Sequence, residues 1–356
     1  DADDAAERRH APASVRLAGH SSGRVVVAGA SGFLGARLAE MLAERGTPVR
    51  ALVRPSSDTS RLREAGIEVA AVDWADAKAL GEALADVDAV INCAGLSADW
   101  GKWERFYEAN VRNVERLLEA SEAAGVRRFV HVSTTDVYGY PKAPPGEDAG
   151  PHDIGLPYNR SKGLGDSVAL EFARGHRLEV TVARPVTIFG PHSKDWVIEI
   201  ARLLRTGDMP VIDGGRTPAG LVYVDDVAEA LIGLTRADDV AGKAYNVRDP
   251  SMMNWRTYVD ALADGIGARR AKTNLPSWLA LRVGRGFELG YGLVGTEKRP
   301  LLTRHAVLIL CRDQSYPIDR LIADTGFKPT VGVEEGIRRT LQWLTSDEGL
   351  AEVANG

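Results

Sequence analysis

The most constraining stretch of the chain is Val25-Val26-Val27-Ala28-Gly29-Ala30-Ser31-Gly32-Phe33-Leu34-Gly35. A β-branched run ending in glycine reads as a strand buried on both faces. Leu34, Leu38, Met41 and Leu42 then recur at helical spacing until Gly46. Three glycines between a buried strand and a helix predict a phosphate-binding turn. Gly29 permits the tight turn, Gly32 lets backbone approach a pyrophosphate, and Gly35 lets helix pack closely on strand. Ser31, Phe33 and Leu34 lie at the helix N-terminus, whose free N–H groups face the phosphates. A dinucleotide ligand is therefore expected here.

The pattern continues with strands at Val49–Val53, Ile67–Val72, Ala89–Cys93, Phe129–Ser133 and Glu179–Ala183. Helical segments lie between them: 76–85, roughly 104–124, and one from Pro157 to about Arg174. Such alternation predicts an α/β fold with a doubly wound parallel sheet. Beyond Pro185 the alternation fails, although Leu221–Val224 and Ala244–Val247 still read as strands. The expected organisation is a flexible tail at 1–22 and a dinucleotide-binding domain at 23–185 plus 221–248. A smaller, mostly helical substrate lobe follows from 186–220 and 249–346, with a C-terminal tail at 347–356.

Two further patterns carry chemistry. Tyr158-Asn159-Arg160-Ser161-Lys162 puts Tyr and Lys on one helix face. A phenol ionises near pH 10, and a neighbouring ammonium brings it toward neutrality. Tyr158 could then exchange a proton with a substrate oxygen. Val132-Ser133-Thr134-Thr135-Asp136-Val137-Tyr138-Gly139, at the end of the fifth strand, could supply a hydroxyl to that same oxygen.

Together the glycine turn, with its GxxGxxG spacing, and the Tyr-Lys pair resemble the extended short-chain dehydrogenase/reductase family, over roughly residues 24–343. The resemblance implies a Rossmann-type sheet and a catalytic set of Thr134, Tyr158 and Lys162, with Ser133 the runner-up for the hydroxyl. It places Asp73 and Trp74 at the adenine, and Cys93, Ala94 and Gly95 beside the cofactor ribose. Pro185, Val186 and Ile188, in Arg184-Pro185-Val186-Thr187-Ile188-Phe189-Gly190-Pro191, fall under the nicotinamide. Asn110 and the Asp225-Asp226 pair are read as structural, the latter as a cap on the following helix.

An NAD enzyme is expected to carry an acid after the second strand; here Arg54 stands in that place and suits a 2′-phosphate. NADP is thus expected, with NAD possible. The nucleotide-sugar branch fits less well. Thr135 stands where its dehydratases have an acid, and Ala219 where its diphosphate-binding arginine belongs. The 3β-hydroxysteroid dehydrogenase-like branch fits better, through Cys93–Gly101, Arg312–Asp319 and Gly326–Pro329. It implies interconversion of a ketone and a secondary alcohol on a largely apolar small molecule. Ser97, Trp100, Thr135, Tyr138, Phe189 and Trp196 are the expected substrate contacts. Nucleotide-sugar epimerisation or reduction, and NADP sensing without turnover, are the alternatives.

A net charge of -5 gives no field for nucleic acid. The seven histidines show no metal-ligand spacing. No apolar run is long enough to span a membrane; Leu275–Val294 comes nearest but contains Arg282, Arg285 and Glu288. Cys93 and Cys311, far apart, suit a reducing cytoplasm. The family resemblance also implies a homodimer, with residues 104–124 and 157–174 at its interface.

Overall fold

The computed structural model describes residues 23–355 except 297 and 301. The expected tail at 1–22 lies outside them. The first half contains β1 (Val25–Ala28), α1 (Phe33–Glu44), β2 (Val49–Val53), α2 (Ser60–Glu64), β3 (Glu68–Ala71), α3 (Ala77–Ala83), β4 (Ala89–Asn92), α4 (Trp103–Tyr107), α5 (Asn113–Ala123), β5 (Arg128–Val132), α6 (Pro157–Gly175) and β6 (Glu179–Pro185). The second contains β7 (Thr187–Phe189), α7 (Glu199–Thr206), β8 (Pro210–Ile212), β9 (Leu221–Tyr223), α8 (Val224–Arg236), β10 (Ala244–Val247), α9 (Trp255–Gly265), β11 (Thr273–Leu275), α10 (Ser277–Val294), α11 (Arg304–Cys311), α12 (Asp319–Thr325), α13 (Gly332–Leu344) and α14 (Asp347–Asn355).

Seven strands form one parallel sheet in the order β10-β6-β5-β4-β1-β2-β3. Helices cover both faces, so β1, β4 and β5 are buried throughout. That double burial explains their unbroken apolar runs. The edge strand β3 is only partly covered, and Arg50 on β2 pairs with its Glu68 at 2.7 Å. Strand order reverses between β1 and β4, which opens a crevice at their C-terminal ends.

The smaller lobe has its own core, in which Phe189, Ile200, Leu204, Trp255 and Tyr258 are buried together. It is joined to the sheet more than once. The chain leaves after β6 and returns for α8 and β10. It leaves again after β10, and Tyr316, Leu321 and Phe327 come back to share the sheet's core.

Several expectations are corrected. The helix predicted over 104–124 is α4 and α5 joined by a π-helical turn, Glu108–Arg112. The strand at 221–223 pairs with β7 in a separate two-stranded sheet. Residues 347–355 are helical, with Val353 buried in the lobe core, so that segment is not a tail. Among the described residues no helix is long and apolar enough to cross a membrane. Most of the Leu275–Val294 segment is α10, on which Trp278, Leu289, Leu293 and Val294 are exposed.

Candidate active site at the sheet crevice

The glycine turn closes onto the loop after β4. Gly29 has φ +75°, and a Cβ there would lie 2.6 Å from Ala94 Cα. A Cβ on Gly35 would stand 2.4 Å from the Gly29 carbonyl oxygen, which accepts the Gly32 N–H at 3.0 Å. Neither position tolerates a side chain. α1 opens at Gly32 with no side-chain cap and no acid in its first turn. Its first N–H groups and positive dipole end thus remain available to an anion. Ser31 and Gly32 are exposed and Phe33 and Leu34 half-buried at this end. Asp225 forks onto Arg37 of α1 at 2.8 and 3.1 Å, fixing the helix from below. This cradle fits a dinucleotide pyrophosphate.

Across the crevice, Asn110 sits in the π turn, where the widened backbone lets its side chain reach inward. It accepts from Leu96 N at 2.7 Å and donates to Leu96 O at 3.1 Å and Ser161 Oγ at 2.9 Å. These bonds tie the 95–97 loop to α6, where the sequence had suggested a bond to the neighbouring strand. Gly165 of α6 allows the close crossing, since a Cβ there would fall 2.1 Å from the Asn110 carbonyl oxygen.

α6 begins at Pro157 and carries Tyr158 and Lys162 one turn apart. Lys162 Nζ donates to the Val132 carbonyl at 2.8 Å, at the end of β5. It points toward Gly95, where a Cβ would be 3.8 Å away. Burial pulls this ammonium down to about 8, against the opposing fields of Asp166 and Asp136. Burial pushes the Tyr158 phenol up, and the Asp136 carboxylate adds to that; the neighbouring Ser97 and Thr134 hydroxyls pull the other way. The structure therefore brings Ser97, Thr134, Tyr158 and Lys162 to one point at the crevice.

Thr134 Oγ1 also accepts from Asp136 N at 3.2 Å, opening the short 3-10 turn Thr135–Tyr138. The Ser133 and Thr135 hydroxyls are buried and, among the described residues, find no hydrogen-bond partner. The Cys93 thiol is pushed up to about 12 by burial, so it is no nucleophile. Pro185 and Val186 are buried at the end of β6 and Ile188 is half-buried on β7. At the other end of the crevice, Asp73 is exposed after β3 and accepts from Ala75 N at 3.0 Å. Trp74 is buried in the core beside Leu80 and Leu84. Arg54 is exposed at the end of β2.

The expected substrate contacts divide. Ser97 is exposed and Trp100 and Trp196 half-buried. Trp100 donates its indole N–H to the Thr296 carbonyl at 3.1 Å, and its ring meets Tyr291 edge-on. Phe189 is corrected: it is fully buried, edge-on to Tyr223 and Tyr258. Tyr138 is also corrected. It stacks on Tyr316, and its hydroxyl donates to Asn246 at 2.8 Å and accepts from Arg184 at 2.8 Å. Arg184 is itself wholly buried and forks onto Asp166 of α6 at 2.7 and 2.9 Å. That network anchors the active-site helix on β6. Asp226 does not cap its own helix; it accepts from the backbone of Thr330, Val331 and Gly332 and so holds the start of α13.

Two groups were missed by reasoning from the sequence. His305 of α11 sits edge-on to Tyr158, ring centroids 5.3 Å apart, with its Nε2 3.2 Å from Asp136 Oδ2. Asp195, in the turn before α7, also acts electrostatically on Tyr158. Neither lies in a local motif; only the fold gathers them.

A crevice at the strand-order switch, a pyrophosphate cradle and a Tyr-Lys helix define a nicotinamide-dinucleotide oxidoreductase of the Rossmann type. The model of the NAD dependent epimerase/dehydratase family matches residues 25–247, and the chain belongs to that family. It is 30% identical to a 2-alkyl-3-oxoalkanoate reductase of Stenotrophomonas maltophilia, over 89% of this chain and 98% of that one. It is 24% identical to a 3beta-hydroxysteroid-dehydrogenase/decarboxylase of Arabidopsis thaliana, over 79% of this chain and 52% of that one. Its fold is similar to that of UDP-glucuronic acid 4-epimerase from Bacillus cereus solved with NAD, with a TM-score of 0.71 at 18% identity, covering 90% and 98% of the two chains.

Proposed function

We propose that this protein is an NADP(H)-dependent ketoreductase acting on a small, largely apolar ketone or the corresponding secondary alcohol. The observation that carries the reading is the convergence of Tyr158, Thr134 and Lys162 beside the 93–97 loop, opposite the glycine cradle. The dinucleotide, when bound, supplies or accepts the hydride at the substrate carbon. Tyr158 gives its proton to the substrate oxygen, and Thr134 orients that oxygen. Lys162 holds the Tyr and reaches toward the cofactor ribose past Gly95. Trp100 and Trp196 would cover the apolar remainder of the substrate. Arg54, exposed where an acid would select NAD, supports the 2′-phosphate of NADP.

Two relatives of matching length are named as ketone reductases. One is the Stenotrophomonas protein; the other, at 27% identity, is a 4-hydroxy-2-methyl-3-oxo-4-farnesyl-3,4-dihydroquinoline-1-oxide ketoreductase of Stigmatella aurantiaca. The nucleotide-sugar reading is supported less. Ala219, at the diphosphate-arginine position, is fully buried in the lobe core, and Arg216, three residues earlier, is exposed. α5 and α6 are the surfaces proposed to meet in a homodimer, with Leu164 exposed on α6. The deciding experiment is a panel of ketones, 3-oxoacyl compounds and UDP-sugars, each assayed by nicotinamide absorbance with NADPH and NADH. Turnover of UDP-sugars alone would overturn the ketoreductase reading.

A further inference from the structure

α10 is apolar on both sides. Its inner face packs on α11: Ala280 is buried with Val307 and Ile212, and Glu288 accepts from Arg304 N at 2.7 Å and Nε at 2.6 Å. Yet seven of the eleven large apolar side chains exposed among the described residues belong to this same helix. Trp278, Val283, Leu289, Leu293 and Val294 are among them, and Leu293 is 91% exposed. At about 100° per residue they fall within the half of the helix turned away from α11. An ordinary surface helix shows water a polar face there.

The charges around this face favour one sign. Arg282 lies within it, its guanidinium 5.3 Å over the Trp278 ring, and Arg285 is exposed at its margin. Arg269 and Lys272 stand before the helix and Lys298 after it, all exposed. Segment 269–304 holds eight basic residues against two acidic ones, whereas the whole chain carries -5. We propose that α10 docks this protein on an anionic phospholipid surface. The helix lies along that surface, its outer face among the acyl chains and its basic flanks at the headgroups. Among the described residues no helix is long and apolar enough to cross a bilayer, so α10 rests on it. A second copy docked here about a two-fold axis would set Arg282 and Arg285 against their own copies; anionic headgroups pair with them instead.

The docked helix adjoins the crevice. Tyr291 of α10 meets the Trp100 ring edge-on, and the Thr296 carbonyl just beyond the helix accepts the Trp100 indole N–H. From the same connection, Arg299 forks onto Asp99 at 2.6 and 2.7 Å, and Thr303 donates to Asp99 at 2.7 Å. α11 then carries His305 to Tyr158. The loop after β4, one wall of the crevice, is thus tied to the C-terminal end of the lipid-facing helix. A ketone or alcohol too apolar to dissolve freely in water would reach the crevice from the bilayer past Trp100. Docking itself needs only the exposed face and its charge; this delivery alone rests on the ketoreductase reading.

The test mixes the full chain with vesicles of phosphatidylcholine, alone or with phosphatidylglycerol, and measures bound protein by flotation. Quenching of tryptophan fluorescence by brominated acyl chains, taken against Trp278→Phe, reports whether Trp278 enters the bilayer. Lipid binding is read, not turnover, so the result stands whether or not the ketoreductase reading does. Vesicles with phosphatidylglycerol are expected to bind at least about tenfold more tightly than neutral ones, and added salt to weaken them. Leu293→Ser with Val294→Ser lowers partitioning by about tenfold or more, and Arg282→Gln with Arg285→Gln by about fivefold per charge at low salt. All four side chains are exposed, and circular dichroism with the melting temperature checks that the fold is kept. No binding to either vesicle, equal binding to both, or a Leu293→Ser, Val294→Ser protein that floats like wild type overturns the proposal. So does a wild-type oligomer that falls apart in that double variant by light scattering, which assigns the face to a second copy. Should a variant not fold, the wild type's choice between the two vesicles and the quenching of Trp278 decide.

Discussion

Lys162 offers the sharpest physical test, because the group expected to serve chemistry opposes folding. Its ammonium ionises at about 8 in the folded chain against 10.5 in water. At pH 7 both states carry the proton, and holding it in the buried site costs about 3 kcal/mol, at 1.36 kcal/mol per unit. Lys162→Met removes that cost and keeps the stem's packing. It also strands the Val132 carbonyl, a loss of about 1–3 kcal/mol. The net expectation is a variant at least as stable as wild type, by up to roughly 2 kcal/mol at pH 7, yet nearly inactive. The pH dependence follows from the lowered value. The penalty is fully present below about pH 8. It shrinks as the folded state sheds the proton that the unfolded state keeps, and it is gone above the unfolded pKa. Denaturant unfolding of both proteins without cofactor, at intervals from pH 7 to the alkaline limit, measures the gap. A variant less stable than wild type at pH 7, or a gap that does not narrow with pH, would refute the reasoning.

Other expectations are simpler to check. Tyr158→Phe should keep the fold and cofactor affinity while turnover falls by about two or more orders of magnitude; near-normal turnover on a true substrate removes the proposed proton donor. Arg54→Ala should weaken NADPH binding by roughly 1.5–3 kcal/mol and spare NADH, as fluorescence titration would show. Gly35→Ala, with its Cβ 2.4 Å from the Gly29 carbonyl oxygen, should abolish binding of either dinucleotide and lower the melting temperature. Asp166→Leu should destabilise by about 3–5 kcal/mol, since it leaves the buried Arg184 guanidinium without its carboxylate.

The nucleotide-binding half was legible because its signals are local. Doubly buried strands show as apolar runs, and a phosphate turn must contain glycine where backbones approach as closely as Gly29 and Ala94. Tyr158 and Lys162 were legible because helical spacing places them on one face. What escaped depends on distant partners. Phe189 and Tyr138 look like pocket aromatics in a motif, but lobe packing and the Arg184 network bury them. Asp226 sits where an acid would cap its own helix, but its partners lie more than a hundred residues away at Thr330–Gly332. The π turn at Glu108–Arg112 has no composition of its own, and the partners that Asn110 meets from it, Leu96 and Ser161, are distant in sequence. His305 had no motif at all, and only the return of the lobe brings it to Tyr158.

The position of β10 at the sheet edge bears on how the chain is made. β6 ends at Pro185, but the strand that pairs with it begins at Ala244, after the first excursion into the lobe. A ribosome finishing β6 therefore exposes a parallel edge with open backbone groups, and must add nearly sixty more residues before those groups find their partner. The segment 23–185 by itself is an unfinished sheet, because the β10 strand at Ala244–Val247 belongs to it. Expressed alone, it should aggregate through that bare edge, while a fragment ending after Val247 restores the pairing.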